Sequence, residues 1–262
     1  MRKFLWKPDP PSPKDWQAWL VLAKAYPARA FSLPVEVNNA KLIVDILDQG
    51  SLGSCTANAI AQAIRGRLVQ LGASPMLAAR LYLYFMGRAI DGTTQEDVGT
   101  YLRSVLDGAR RVGYPAERFW SYDDGLTKFR TRPDDAAVRA GFDQIAGLTY
   151  HKLTSMGKQR SFDLRTLLAA GYLVVFGTQV TNKFRDFGPA SAPLDVPKPD
   201  EVVLGGHALV LANYTSGVFS GPNSWGPTYG KAGWFEMTDA YIEDPRSSDF
   251  WVIDHVHQFS EE

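Results

Sequence analysis

The chain of 262 residues carries a single cysteine, Cys55, within Gln49-Gly50-Ser51-Leu52-Gly53-Ser54-Cys55-Thr56-Ala57-Asn58. Downstream of it Ile60, Ile64, Leu68 and Leu71 recur at steps of four, four and three, which predicts a helix with one buried stripe, stopped at Gly72. Cys55 then falls in the first helical turn. There the unpaired backbone N–H groups and the helix dipole favour thiolate over thiol, and a nearby histidine would do the same. A lone cysteine is otherwise a small buried hydrophobe. Glycines and serines immediately before a helix are poor core material, so the local sequence favours a nucleophile. Gln49, six residues upstream, brings a side-chain N–H able to meet an oxyanion, as acyl transfer requires.

Four histidines are available as partners: His151, His207, His255 and His257. Only His207 has a catalytic context, following Gly205-Gly206 and opening the apolar run Ala208-Leu209-Val210-Leu211-Ala212 at the mouth of a predicted strand. Asn223-Ser224-Trp225-Gly226 begins sixteen residues later, after a second strand-like run, Val218-Phe219-Ser220. A strand, a turn and a return strand would bring the Asn223 amide beside the His207 ring, giving nucleophile, base and orienter. His255 and His257 have a spacing that could bind metal but no third ligand nearby, and read as solvent-facing strand residues. No metal or cofactor is called for.

Gln49 to Cys55, Gly206-His207-Ala208 and Asn223-Ser224-Trp225-Gly226 together resemble, in order and spacing, the signatures of papain-like cysteine peptidases. The interval from position 55 to position 207 is 152 residues, close to the roughly 130–150 typical of papain and the cathepsins. Gly230-Lys231-Ala232-Gly233-Trp234-Phe235 is similar to the Gly-x-x-Gly-aromatic strand of that family, and the whole looks nearest to bacterial members with a short N-terminal extension. The resemblance implies that Cys55 attacks a peptide carbonyl, His207 shuttles the proton, Asn223 fixes the imidazole and Gln49 stabilises the oxyanion. It also implies Gly99, Gly206 and Trp225 as substrate-binding positions, with Gly99 on the wall of the groove and Trp225 also covering the His207–Asn223 bond. Gly99 could equally be a plain helix-entry glycine. Two places depart from the family: Leu52 stands where a disulfide cysteine is usual, and Thr56 where an aromatic usually follows the nucleophile. With one cysteine, no intramolecular disulfide can form.

The elements that must position these groups change character along the chain. Helices are predicted over Pro75–Ile90 and Gly99–Val112, from Asp134-Asp135, and over Phe162–Ala170 with Ser161 as cap and Gly171 past the end. From Tyr172 onward the period becomes that of strands: Tyr172–Phe176, the His207 run, Val218–Ser220, Gly233–Met237 and Phe250–Ile253. A helical lobe over about 45–160 followed by a β-rich, barrel-like lobe over about 161–257 is α+β architecture. The expected fold is the papain-like two-lobed one, its active site in the cleft between the lobes and its catalytic domain spanning 40–262.

Residues 1–39 read as a separate extension, punctuated by Pro8, Pro10, Pro11, Pro13, Pro27 and Pro34. Lys14–Tyr26 reads as a short helix with Trp16, Trp19, Leu20 and Ala23 on one side, and such a helix needs a surface to pack on. It either covers the cleft, as a propeptide would, or braces the back of the molecule. The proline-rich stretch from Phe187 to Asp200 either overhangs the cleft or is a surface excursion.

Hydrophobic residues make up 45% of the chain, enough for a large core, and the formal net charge is zero with scattered cations. No electrostatic footprint for nucleic acid or an anionic membrane is present. The start of the chain lacks a secretory signal and no run is long enough to span a membrane, so cytoplasmic residence is expected by default, with signal-less secretion open. The expected partner is a peptide or protein substrate. The expected activity is cysteine endopeptidase through a thioester, the alternatives being deamidase, isopeptidase or ligase chemistry on the same scaffold, or a peptide-binding module without catalysis.

Overall fold

The computed structural model describes residues 2–25 and 32–257. Its helices are α1 (Trp19–Ala25), α2 (Cys55–Gln70), α3 (Arg80–Asp91), α4 (Leu102–Val112), α5 (Asp135–Ala140), α6 (Gly157–Ala169), α7 (Asn182–Arg185) and α8 (Asp239–Glu243). Its strands are β1 (Val37–Asn38), β2 (Leu148–Leu153), β3 (Val174–Thr181), β4 (Val203–Leu211), β5 (Asn213–Thr215), β6 (Val218–Pro222), β7 (Trp234–Thr238) and β8 (Ser247–Val256).

Helix α2 is the axis of the molecule. Ile60, Ile64 and Leu68 are buried as their spacing predicts, but so are Cys55, Thr56, Ala57 and Asn58, because α3 and α4 pack on one side and β4 and β8 on the other. Leu71 departs from the stripe: it follows the last helical residue and is 38% exposed.

The strands form two antiparallel sheets, ordered β2-β8-β3-β4 and β1-β5-β6-β7. Along β3, β4 and β8 alternate side chains enter different cores. Val175, Ala208, Val210, Trp251 and Ile253 face the helical lobe, whereas Val174, Phe176, Leu209, Leu211, Phe250 and Val252 fill the interior of the β lobe. Both faces are buried, so these strands read as continuous apolar runs although their side chains alternate with the usual period of two.

Several element boundaries differ from the sequence reading. The helix expected from Pro75 starts at Arg80, because Ala78 and Ala79 pair in extended form with Ala116 and Pro115. The helix expected from Gly99 starts at Leu102, since Gly99 lies at φ +75° and cannot continue a right-handed helix. Ser161 is not a cap: α6 begins at Gly157, and the Ser161 hydroxyl donates to Lys158 and Glu243. Asp134 does cap α5, its carboxylate accepting from the Ala137 N–H, but that helix is six residues long. Beyond it, residues read as helical lobe form β2, which pairs with β8. The proline-rich stretch before His207 lies along β7, with Leu194 bonded to Glu236 and Thr238.

The N-terminal helix is the largest correction. It runs from Trp19, its expected end at Tyr26 lying outside the described residues, and it buries Val21, with Ala18 just before it, rather than the predicted aromatic face. Trp16 and Trp19 are 46% and 63% exposed. Backbone bonds from Ala18 to Lys152 and from Lys152 to Trp16 hold this stretch against β2, away from Cys55.

Candidate active site

Ser54 ends the approach to α2, and Cys55 is its first residue. The Ser54 hydroxyl is paired with the Tyr122 hydroxyl and accepts from the Asn58 amide, which fixes the turn. Sequence placed Cys55 where a thiol should ionise easily; in the folded chain it is completely buried, and loss of water pushes its pKa up to about 11. Backbone groups of Ala208, Thr56, Cys55 and Trp6 act in the opposite direction without overcoming that burial. Enclosure thus works against the expected thiolate in this closed arrangement, because something covers the sulfur.

The wall facing Cys55 is β4. His207 is fully buried there, and its Nε2 is paired with Asn223 Oδ1 at 2.8 Å. Asn223 follows directly on β6, and the chain reaches it by leaving one sheet at Ala212 and entering the other at β5. The predicted second strand, β6, does bring Asn223 to His207, but β5 intervenes and β6 lies in the other sheet, so the two side chains meet between sheets and not within one hairpin. His207 Nδ1 is buried with no hydrogen-bond partner among the described residues, as is Asn223 Nδ2. Burial drives the His207 pKa down to about 4, against the opposing pull of Asn223. The Trp225 ring lies 4.8 Å from the imidazole and Phe184 5.7 Å from it, an apolar housing over the His207–Asn223 pair.

Gln49 is wholly buried and held from two sides. Its Nε2 donates to Leu52 O at 2.8 Å and its Oε1 accepts from the Ser224 hydroxyl at 2.7 Å, while its backbone N–H donates to Ser224 O. One N–H of the side-chain amide is thus left over, on a side chain that cannot swing. Ser224 was not singled out from sequence, though it sits inside the Asn-Ser-Trp-Gly motif.

What covers the sulfur is the start of the chain. The Trp6 backbone N–H donates to Gly206 O at 3.0 Å, and Leu5 bridges the same residue in parallel. Leu5 packs on Gly99 and Gly53: a Cβ built on Gly99 would meet Leu5 O at 2.2 Å, and one on Gly206 would meet Trp6 O at 2.0 Å. Gly99 and Gly206, predicted as substrate-binding positions, are thus places where the backbone of the N-terminal segment comes close. Phe4 packs edge-on to Trp225, with centroids 5.6 Å apart. Beyond it lies an open cavity of about 520 Å³ bounded by Arg2, Arg185, Leu204 and Tyr229. Nothing in the sequence singles out Trp6, since an aromatic residue among prolines gives no local sign of its seat.

A second cluster anchors the segment. The Asp9 N–H donates to Asp249, and the Asp9 carboxylate accepts from Trp251 Nε1 at 2.9 Å and from the Arg103 N–H. Arg103 grips Asp15 with two nitrogens, and Lys152 lies 2.8 Å from Asp249. His255 and His257 are exposed, and no group of three or more potential metal ligands occurs among the described residues.

A helical lobe and a barrel-like β lobe meeting at a buried thiol, with an imidazole on the facing strand and an amide bonded to it from the other sheet, define a papain-like fold. Known proteins agree. No profile of a known protein family matches the chain. An uncharacterized peptidase C1-like protein of Acanthamoeba polyphaga mimivirus is 32% identical over 219 residues, 80% of this chain and 70% of that protein. Xylellain, a cysteine protease from the bacterium Xylella fastidiosa, superposes with a TM-score of 0.82 at 27% identity, over 98% of each chain. Digestive procathepsin L 3 of Tenebrio molitor larval midgut shares the fold, with a TM-score of 0.67 at 16% identity over 87% of this chain and 72% of that one. The chain belongs to the papain-like cysteine peptidases. It is a hydrolase of the thiol protease class.

Proposed function

We propose that the chain is a cysteine endopeptidase working through Cys55, His207, Asn223 and Gln49, and that residues 2–9 hold it in a closed, latent form. The observation that carries the reading is the His207–Asn223 pair on the wall facing a helix-start thiol, with the second imidazole nitrogen left unpaired. Once the segment leaves, water reaches the site, the burial that keeps thiol and imidazole neutral is relieved, and the proton passes from Sγ to His207. The thiolate attacks the substrate carbonyl. The Cys55 backbone N–H and the spare Gln49 N–H then meet the oxyanion. His207 gives its proton to the leaving amine as the C–N bond breaks, which leaves a thioester. Water then adds to the thioester while His207 takes its proton, and the carboxylic acid product leaves as thiol and imidazole are restored. Asn223 holds the ring in the plane and tautomer that serve both steps.

The same residues would serve a deamidase, isopeptidase or ligase, since only the leaving group or acceptor differs. The test is hydrolysis of a broad panel of fluorogenic peptides by the full chain and by its Trp6→Ala variant, with labelling of Cys55 by a peptide carrying a thiol-reactive group. Labelling with hydrolysis supports the endopeptidase. Labelling without hydrolysis moves the reading to another acyl transfer, and no labelling even in the open variant leaves a binding module.

No helix among the described residues is long and apolar enough to cross a membrane.

A further inference from the structure

Two carboxylates on the cleft rim each hold a cation of the covering segment. Lys3 Nζ lies 2.6 Å from Asp97 Oδ2, and Arg2 Nη1 lies 2.7 Å from Asp48 Oδ1. Asp97 is the more telling. Its side chain is only 6% exposed, and its other oxygen accepts from the Gly53 N–H at 3.0 Å and from the Tyr84 hydroxyl. Gly53 is two residues before Cys55 and Gly99 two after Asp97, so the carboxylate is tied to the loop that leads into Cys55. The Tyr84 hydroxyl, whose pKa is driven well up by burial and by Asp97, stays a donor. Among the described residues Arg88 also acts on Asp97 through its charge, but its guanidinium nitrogens Nη1 and Nη2 donate to the carbonyls of Thr94, Glu96 and Phe129 rather than to the carboxylate.

Asp48 adjoins Gln49 on the other side of the thiol. There Arg2 also donates to Trp225 O at 2.9 Å and lies over the Trp225 ring. When the segment departs, both cations go with it. Asp97, held in place by the Gly53 N–H and the Tyr84 hydroxyl, then loses the ammonium that faces it, and another cation entering there regains a charged hydrogen bond. A charged donor restores a strong, short hydrogen bond; an apolar side chain in its place makes no such bond.

Building on the peptidase reading, we propose that Asp97, assisted by Asp48, makes the cleft selective for peptides carrying lysine or arginine next to the bond that is cut. Asp97 receives a lysine-like ammonium beside Cys55. Asp48, with the Trp225 carbonyl and ring, receives a planar guanidinium on the far side. The covering segment, Arg2-Lys3-Phe4-Leu5-Trp6, then competes with substrate for the same two charges.

Binding tests this separately from catalysis. The full-length chain is made with Arg2→Ala, Lys3→Ala and Trp6→Ala, which removes the segment's own hold on the rim, and with Cys55→Ala so that peptides stay intact. A fluorescein-labelled hexapeptide with one central lysine is compared with its norleucine analogue by anisotropy, and an arginine peptide with its citrulline analogue. The charged member of each pair should bind at least about tenfold tighter at low salt, with the margin shrinking as salt is raised. Adding Asp97→Asn, which keeps an oxygen for the Gly53 N–H, should cut the lysine preference to under about threefold, and Asp48→Asn should do the same for arginine. The preference in the chain with both acids intact is read first, so it stands even if an acid variant folds poorly. Equal affinities, no binding of any peptide, or a preference that survives both acid variants would overturn the proposal. Hydrolysis by the Cys55 form without charge discrimination would sink the selectivity and leave the peptidase standing; discrimination in binding without hydrolysis would do the reverse.

Discussion

The indole of Trp6 occupies the space that a side chain at Gly177 would need: a Cβ built there would lie 1.8 Å from Trp6 Cε2. Gly177 sits on β3 opposite Ala208, so the ring is wedged at the His207 wall while its backbone bonds Gly206. Emptying this seat removes a buried aromatic, worth about 3–5 kcal/mol where the ring is fully enclosed. In the full-length Trp6→Ala chain, Cys55 alkylation should quicken at least about tenfold and KM for small peptides should fall, since less of the binding energy is spent displacing the segment. A chain starting near Ala40 should show the same fall in KM but melt earlier, having lost Asp9, Asp15 and the α1 contacts as well. Unchanged KM and alkylation with only an earlier melt would assign the segment to bracing alone.

Cys55 and His207 should both be uncharged in the closed chain at neutral pH. The thiol pKa is raised to about 11 and that of the imidazole lowered to about 4, each chiefly by burial. Iodoacetamide should therefore modify the intact chain slowly and only as the medium becomes alkaline, whereas the Trp6→Ala chain should react well below the free-thiol pKa of about 8.5. Equal pH profiles for the two chains would contradict this. The His207 shift also enters stability: its contribution is present above the ordinary value of 6.5 and is lost as pH falls toward about 4.

Asp9 has the opposite sign. Burial, with Asp249 beside it, raises its pKa from 3.8 to about 6 despite Lys152, the Arg103 N–H and Trp251. The stabilisation tied to its neutral form is complete below 3.8 and is lost as pH rises through about 6. Asp9→Asn keeps an acceptor and cannot ionise, so its melting temperature should gain on that of the unaltered chain between pH 5 and pH 7.5. Melts at those two pH values check it, and a gap that stays constant or narrows would count against the buried-carboxylate account.

Gln49→Ala should lower kcat by roughly a hundredfold to a thousandfold, about 2.7–4 kcal/mol, if its spare N–H meets the oxyanion. Because the same side chain ties Leu52 O to Ser224, the variant should also melt a few degrees earlier. Kinetics in the Trp6→Ala background separate the two effects: a lost kcat with the fold intact supports the oxyanion role, and an unchanged kcat places the donor elsewhere.

The sequence alone singled out Cys55, His207, Asn223 and Gln49 as the candidate site, because each stands in a short stretch whose glycines, helix start or strand mouth are local properties. It also determined that the chain passes from helices to strands, for apolar period is written residue by residue. It could not determine what lies across the cleft. Trp16 and Trp19 looked like the side chains that had to leave water, yet both remain largely exposed while Trp6 and Val21 are buried. Periodicity says which face of a helix is apolar, whereas burial depends on which distant surface is vacant. The α2 start made Cys55 look acidic by its dipole, a local field; the tertiary structure reversed that by enclosing the sulfur between two lobes and residues 2–9. Desolvation is set by every atom within several ångströms, most of them far away in sequence, and so only the folded chain decides it.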